Sequence, residues 1–377
     1  MYNKIVIAPD SFKGTMTSSE ICDLIAQAIH ETFPNTEVVK IPVADGGEGM
    51  VDAYISNVGG RLIKKQVTGP NFQPAESFYG ILKDKKTAVI EMAAASGLPL
   101  VGDEKDPMHS TTFGTGELIL DAVNRGCKKV LLGIGGSATM DGGIGAAGAL
   151  GIKFLDKDGK GVPLTAEGLG LVHSIDMSSV DKRISRLEIL IASDVRNYLC
   201  GPAGAAYVFG GQKGATEEEI EKIDRYLYRY CELIRKQSGR NLHEMPGMGA
   251  AGGIALPFLA FFNARILPGI EVVLDIAGFD QKIDNADLVI TGEGKLDGQS
   301  LGGKVPIGVA RRAKKQGIPV VAIVGDVGRD YEKVYDYGIC AIFSTNKAAV
   351  PFEKARLTCR EDLEFLIRSL MRFRKIC

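Results

Sequence analysis

Four acidic residues stand where short apolar runs end: Asp10 after KIVIAP, Asp45 after VVKIPVA, Asp194 after LEILIAS and Glu293 after DLVITG. In an open α/β sheet ligands collect outside the carboxyl ends of the strands. A carboxylate there can take a proton, orient a hydroxyl or hold a divalent cation. A single aspartate in such a place equally often closes a turn or caps the next helix. Four together, each beside glycine, serine or lysine, read better as a polar cleft compatible with Mg²⁺.

Glycine-rich loops supply the second kind of chemistry. GIGGSATMDGG (133–143) follows an apolar run and opens a helical pattern. In that setting backbone N–H groups hold a phosphate, and Gly135, Gly136, Ser137 and Thr139 form the expected cradle. Its first six residues also fit GxGxxA, with Asp156 beyond the next strand, so a nicotinamide-dependent oxidoreductase is a rival reading. That fingerprint belongs near the start of a Rossmann unit, whereas this loop lies in mid-chain and is followed by Gly142, Gly143, Gly145 and Gly148. Such glycines also serve close packing of strand on helix.

GEGKLDGQSLGGK (292–304) contains Gly298-x-x-x-x-Gly303-Lys304, but Val305 occupies the place of the metal-binding Ser or Thr. No strand leads straight into it, and a Walker A site is rejected. What remains is a glycine loop carrying Glu293, Gly294, Lys295, Asp297 and Lys304, suited to phosphate charge and metal. ADGGEG (44–49) is a second such loop, with Asp45 and Glu48 around Gly46 and Gly47, while PGMGAAGGIA (246–255) reads first as close helix packing. His30, His109, His173 and His243 share no context, GxSxG is absent, and the second histidine of HExxH is missing after His243. Acyl transfer and zinc hydrolysis are therefore poor hypotheses.

The elements that must carry these loops alternate. KIVIAP reads as a strand; TSSE (17–20) offers a capping box before Ile21, Leu24, Ile25, Ala28 and Ile29; EVVKIPVAD (37–45) is the next strand. That is a βαβ unit with a right-handed crossover. The far end repeats the grammar in ADLVITGEG (286–294), a helix near 305–316, IPVVAIVGD (318–326), CAIFST (340–345) and a helix within 352–373. Between them, 61–92 alternates like an antiparallel or mixed sheet, and TEEE (216–219) caps a long helix. The predicted fold is α/β in two domains. Residues 1–65 and 285–377 form a discontinuous Rossmann-like parallel-sheet domain, into which a mixed α/β domain, 66–284, is inserted.

Composition agrees. A chain of 377 residues exceeds one compact core, and 45% hydrophobic against 24% charged residues is an ordinary globular balance. The net charge of −1 gives no basic field for nucleic acid or membrane, so a small ligand is the better partner. Glycine is high, 47 residues in all, or about 12% against a usual usage of roughly 7%. The seven cysteines are scattered, without CxxC pairs, and read as reduced thiols. MYNKIVIAPD enters a strand without a signal pattern, and a cytoplasmic location is expected.

Taken together, several blocks resemble one family: APDSFKGTMTS (8–18), PVADGGEG (42–49), HSTTFGTGELI (109–119), GIGGSATMDGG (133–143), SDVRNYLCGPAGAAYVFGGQKGA (193–215), GMGAAGGI (247–254), LPGIEVVLD (267–275) and LVITGEGKLDGQSLGGKVPIGVA (288–310). They are similar to the bacterial type I glycerate kinases, a likeness that runs from residue 4 to about 326. The resemblance implies a two-domain α/β kinase using ATP and Mg²⁺ on D-glycerate, with phosphate usually going to the 2-hydroxyl; 3-phosphoglycerate is the alternative product. A homodimer is an assembly it allows. Two positions depart from the family pattern: Met140 stands where asparagine is usual and Tyr198 where proline is usual.

On that reading Asp194 is the base or orienter of the glycerate hydroxyl. Lys13 meets the carboxylate or the transferring phosphoryl, Asp10 holds Lys13 or the metal, and Ser11 beside it binds substrate or phosphate. Gly135, Gly136 and Ser137 cradle phosphate; Glu293, Gly294, Asp297 and Lys304 come from the opposing domain, with Asp45, Gly46 and Gly47 near the substrate. Asp141 is a further expected metal ligand.

Overall fold

β1 (Lys4–Pro9) is buried along nearly its whole length, as a strand of unbroken apolar residues must be when helices cover both faces of its sheet. Thr17 and Glu20 then cap the helix Ser18–Thr32 reciprocally, and β2 (Glu37–Lys40) returns parallel to β1. The computed structural model describes residues 2–376.

The chain next builds a second sheet. β3 (Gly60–Thr68) and β4 (Pro74–Leu82) form an antiparallel hairpin, and β5 (Thr87–Glu91) pairs antiparallel to β4. β6 (Lys129–Gly133) follows parallel to β5. A separate small antiparallel pair, β7 (Lys153–Leu155) with β8 (Ser174–Asp176), precedes β9 (Glu188–Ala192) and β10 (Asn263–Leu267). The sheet order is β10-β9-β6-β5-β4-β3. Thr216 and Glu219 cap the long helix Glu217–Ser238, whose Ile223, Leu227, Tyr230 and Ile234 enter the core of this unit.

β11 (Leu288–Leu296), β12 (Val320–Val327) and β13 (Ile339–Ser344) complete the first sheet in the order β13-β12-β11-β1-β2, all parallel. The helix Phe352–Ile376 buries Leu363, Ile367 and Met371 with Ile21 and Ile25 of the first helix. Arg360 and Arg368 fasten its exposed side to Glu20 and Glu31 at 2.6 and 2.7 Å.

The fold class is that expected from the sequence, α/β with one parallel and one mixed sheet. The division differs in detail: one compact unit comprises residues up to 45, 52–59 and 268 onward, the other 46–51 and 60–267. The first border falls at 59/60 and not 65/66 because all nine residues of β3 pair with β4. The return falls at 267/268 and not 284/285 because the helix Gly269–Ile276 packs on Val305–Lys315, with Ile270 against Gly308. Residues 46–51 join the second unit through Val51 N–H on Glu91 and Gly135 N–H on the Gly46 carbonyl. Among the described residues no helix is long and apolar enough to cross a membrane, and six cysteines are free thiols.

Candidate functional site

Read in chain order, the first sheet runs β2-β1-β11-β12-β13, so the direction of strand progression reverses between β1 and β11. In an open parallel sheet that reversal opens the crevice in which ligands bind. Asp10 and Glu293 stand at its two lips. Pro9 pairs with Gly292, and the Asp10 N–H donates to the Gly292 carbonyl at 2.8 Å, which sets the two carboxylates side by side just past the β1–β11 ladder; Glu293 is not at a strand end as expected, because β11 runs on to Leu296 by pairing with β12. Beyond β2 the chain keeps alongside β1 through Ile41 N–H on Ile7 and Val43 N–H on Pro9, and so delivers half-buried Asp45. Ser18 locks this approach: its hydroxyl donates to the Pro9 carbonyl and accepts from Val43 N–H.

The charges here are under stress. Asp10 is 5% exposed, and burial pushes its carboxyl well above the usual range; Asp45 adds to the rise, while the Ser11 N–H and Lys13 oppose it. Burial likewise lifts Glu293 to about 7, against the pull of Lys304 at 3.7 Å and the Ser300 hydroxyl at 2.6 Å. A cation or a proton arriving at this point is favoured by the same physics that disfavours the bare carboxylates. Asp297 adds to the negative field, and its N–H is held by Ser300.

Lys13 is presented by a tight turn. Phe12 N–H bonds Met16 and Thr15 N–H bonds Phe12, the buried Phe12 and Met16 anchor the base, and Gly14 takes φ +76°. The lysine is left exposed at the tip. Lys13 and Gly294 also line a cavity of about 700 Å³ that runs on over the ends of β12 and β13.

In the second unit Asp194 lies two residues beyond β9, on a segment tied back by Ser193 N–H to the Leu267 carbonyl. The 133–143 loop is arranged differently from the sequence expectation. Gly135 spends its N–H on Gly46, and a Cβ there would come within 2.9 Å of Gly47; a Cβ on Gly46 would meet the Ala192 carbonyl at 2.8 Å. These glycines thus permit backbone to lie on backbone. Gly136 takes φ +75°, and the helix that follows, Ile144–Ala149, has only six residues. Asp141 is fully buried, with both carboxylate oxygens occupied by Thr112 N–H and hydroxyl and by Gly143 and Gly145 N–H. Met140 is buried in the core and Tyr198 is exposed in an irregular loop. Among the described residues no group of three or more metal-ligating side chains is assembled.

Lys213 was not singled out in the sequence. Its side chain is 3% exposed, and its ammonium donates to the Ser137 hydroxyl at 2.6 Å and the Thr139 carbonyl at 2.8 Å. A lone lysine in a glycine-rich stretch carries no periodicity, and only tertiary packing reveals its burial. Burial pulls it down to about 7, with Asp141 opposing. An unfolded chain keeps that proton to the ordinary lysine range and the folded chain releases it near 7, so stability contributed here rises with pH between the two. Unfolding of the parent and Lys213→Met, followed from pH 6.5 to 9.5, should show the parent gaining on the variant by up to about 1.4 kcal/mol per pH unit. A constant difference would show that Lys213 keeps its charge.

Residues 5–375 match the Glycerate kinase family. A Glycerate kinase of Bacillus cereus is 44% identical over 374 residues, 99% of this chain and 98% of that one. A Glycerate 2-kinase of Escherichia coli K12 is 46% identical over 342 residues, 90% of each. The crystal structure of a candidate glycerate kinase 2 from Salmonella typhimurium LT2 superimposes with a TM-score of 0.89 at 41% identity, covering 100% of this chain and 99% of that one. Identity at this level over the whole length, with the same fold, leaves one conclusion: the chain belongs to the glycerate kinase family.

Proposed function

We propose that the protein transfers the γ-phosphoryl group of ATP to the 2-hydroxyl of D-glycerate in the presence of Mg²⁺. The observation that carries this reading is the cluster of Asp10, Asp45 and Glu293 with Lys13 and Lys304 around the β1–β11 switch point of the first unit. Phosphoryl transfer asks for positioning, for neutralisation of the charge on the phosphoryl oxygens and for a group that takes the hydroxyl proton. Asp194 takes that proton. Lys13 and Lys304 meet anionic oxygens of the two substrates, and Ser137, held by Lys213, keeps its loop in register.

Mg²⁺ usually rests on one or two carboxylates together with substrate phosphates and water. Asp10 and Glu293, both buried and both disfavoured as bare anions, fit that need and would hold it. Bound there, the ion supplies charge neutralisation on the phosphates. Asp141 serves its loop instead, its oxygens being committed to four internal donors.

The test is a turnover assay with D-glycerate and ATP in which 2- and 3-phosphoglycerate are separated. The 2-phospho isomer is expected, and activity should vanish in excess EDTA. Accumulation of 3-phosphoglycerate overturns the regiochemistry, and full activity in EDTA overturns the metal. The Glycerate 2-kinase name of the Escherichia coli relative supports the 2-position. Hydride transfer to a nicotinamide is not favoured, because the glycines that suggested it are used in backbone packing.

A further inference from the structure

We infer that the nucleoside half of ATP occupies the cavity over the ends of β12 and β13, with Phe352 against the base. This rests on the kinase reading above and adds to it a place for the nucleotide. At about 700 Å³ the cavity falls inside the range of small-molecule and cofactor sites. A three-carbon acid has no apolar surface to fill such a volume, whereas a purine nucleoside has a flat apolar face and a polar edge.

The lining matches that division. Phe12, Val327, Ala349 and Phe352 give apolar wall, while Ser344 and Asn346 offer polar groups. The Phe352 ring is 55% exposed and lies beside the Lys13 turn, since a Cβ on Gly14 would touch its edge at 3.7 Å. An aromatic ring left open at the mouth of a cavity is a stacking surface for a base. Charge then sets the direction. Of the cations that line the cavity, Lys347 is held by Asp362 at 2.7 Å, whereas Lys13 and Arg356 are exposed and Lys13 lies in the field of Asp10. Lys13 and Gly294 form the end nearest the switch point, where Glu293 adjoins Gly294 in the chain. A nucleotide lying with its base at Phe352 therefore sends its phosphates toward Lys13 and the carboxylates that would hold the metal.

The experiment is ADP binding by calorimetry to the full-length parent, Phe352→Ala and Ala355→Trp, with thermal melting as a control on folding. Phe352→Ala removes only an exposed ring and should raise the Kd for ADP by roughly tenfold, the scale of a lost base–aromatic stack. Ala355→Trp, which fills the cavity, should weaken ADP at least as much, and neither variant should change the KM for glycerate by more than about twofold. Cys359 lines the cavity and Cys340 does not. Iodoacetamide labelling read by peptide mass spectrometry should therefore show ADP protecting Cys359 and leaving Cys340 unchanged. Unaltered ADP affinity in a folded Phe352→Ala, or alkylation of Cys359 at the same rate with and without ADP, overturns the assignment. A parent that binds no ADP overturns the kinase reading and this inference with it.

Discussion

Asp194→Asn should lower kcat/KM for glycerate by about 10² to 10⁴, the usual scale of a general-base contribution. The substitution keeps the shape of the side chain and removes its capacity to accept a proton. Asp194 follows a buried strand by two residues and is itself half-buried, so the change is felt inside a fixed backbone, with Ser193 tied to Leu267 and Val195 N–H tied to the Ser193 hydroxyl. The deciding measurement is kcat/KM together with the melting temperature. A variant that melts lower yet turns over within a few-fold of the parent assigns Asp194 to the turn after β9 and not to chemistry. A variant that melts like the parent with turnover cut a hundredfold or more assigns it to proton transfer.

Lys13→Ala should cost about 10² to 10³ in kcat/KM, the scale of removing one preorganised electrostatic contact from a developing charge. Its stability effect should be small, within about 0.5 kcal/mol, because the side chain is exposed and the turn beneath it is held by Phe12 and Met16. The separation of the two effects makes the test sharp: melting temperature unchanged, turnover collapsed. Lys13→Arg should recover part of the loss, since the charge remains while its hydrogen-bond geometry changes. Equal kcat/KM in the parent and Lys13→Ala would remove Lys13 from the mechanism.

Much of the fold could be read from local pattern. The strand, capped helix, strand succession at the start was legible because KIVIAP is unbroken apolar sequence and Thr17-x-x-Glu20 is a reciprocal cap, and both recur in the structure. The long helix after Thr216 was legible for the same reason. The border of the two units was not, because β3 alternates whichever sheet it joins and only its nine pairs with β4 decide the matter. At the site, the position of Asp10 just past a strand followed from chain order, Glu293 proved to lie within β11 because that strand runs on along β12, and the adjacency of the two depends on β1 pairing with β11, some 283 residues away. The 133–143 loop carries internal packing that its sequence does not announce. Its glycines and its aspartate invite a ligand on paper, and in the folded chain they meet Gly46, Gly47, Thr112 and one another. Burial also turned Lys213 from an ordinary loop cation into an internal donor, a change that no spacing announces.

The position of β1 between β2 and β11 has a bearing on how the chain is made. Its two neighbours leave the ribosome far apart in time: β2 begins at Glu37, and β11 not until Leu288. At synthesis rates of about 5–20 residues per second the nascent βαβ unit waits on the order of ten seconds to a minute for its second partner strand. Throughout that interval one edge of β1 is an unpaired row of backbone donors and acceptors, open to pairing with a neighbouring chain. The second unit, nearly continuous from residue 60 to 267, has all its strands in hand before β11 emerges. Half of the switch-point crevice is thus among the last parts of the molecule to exist.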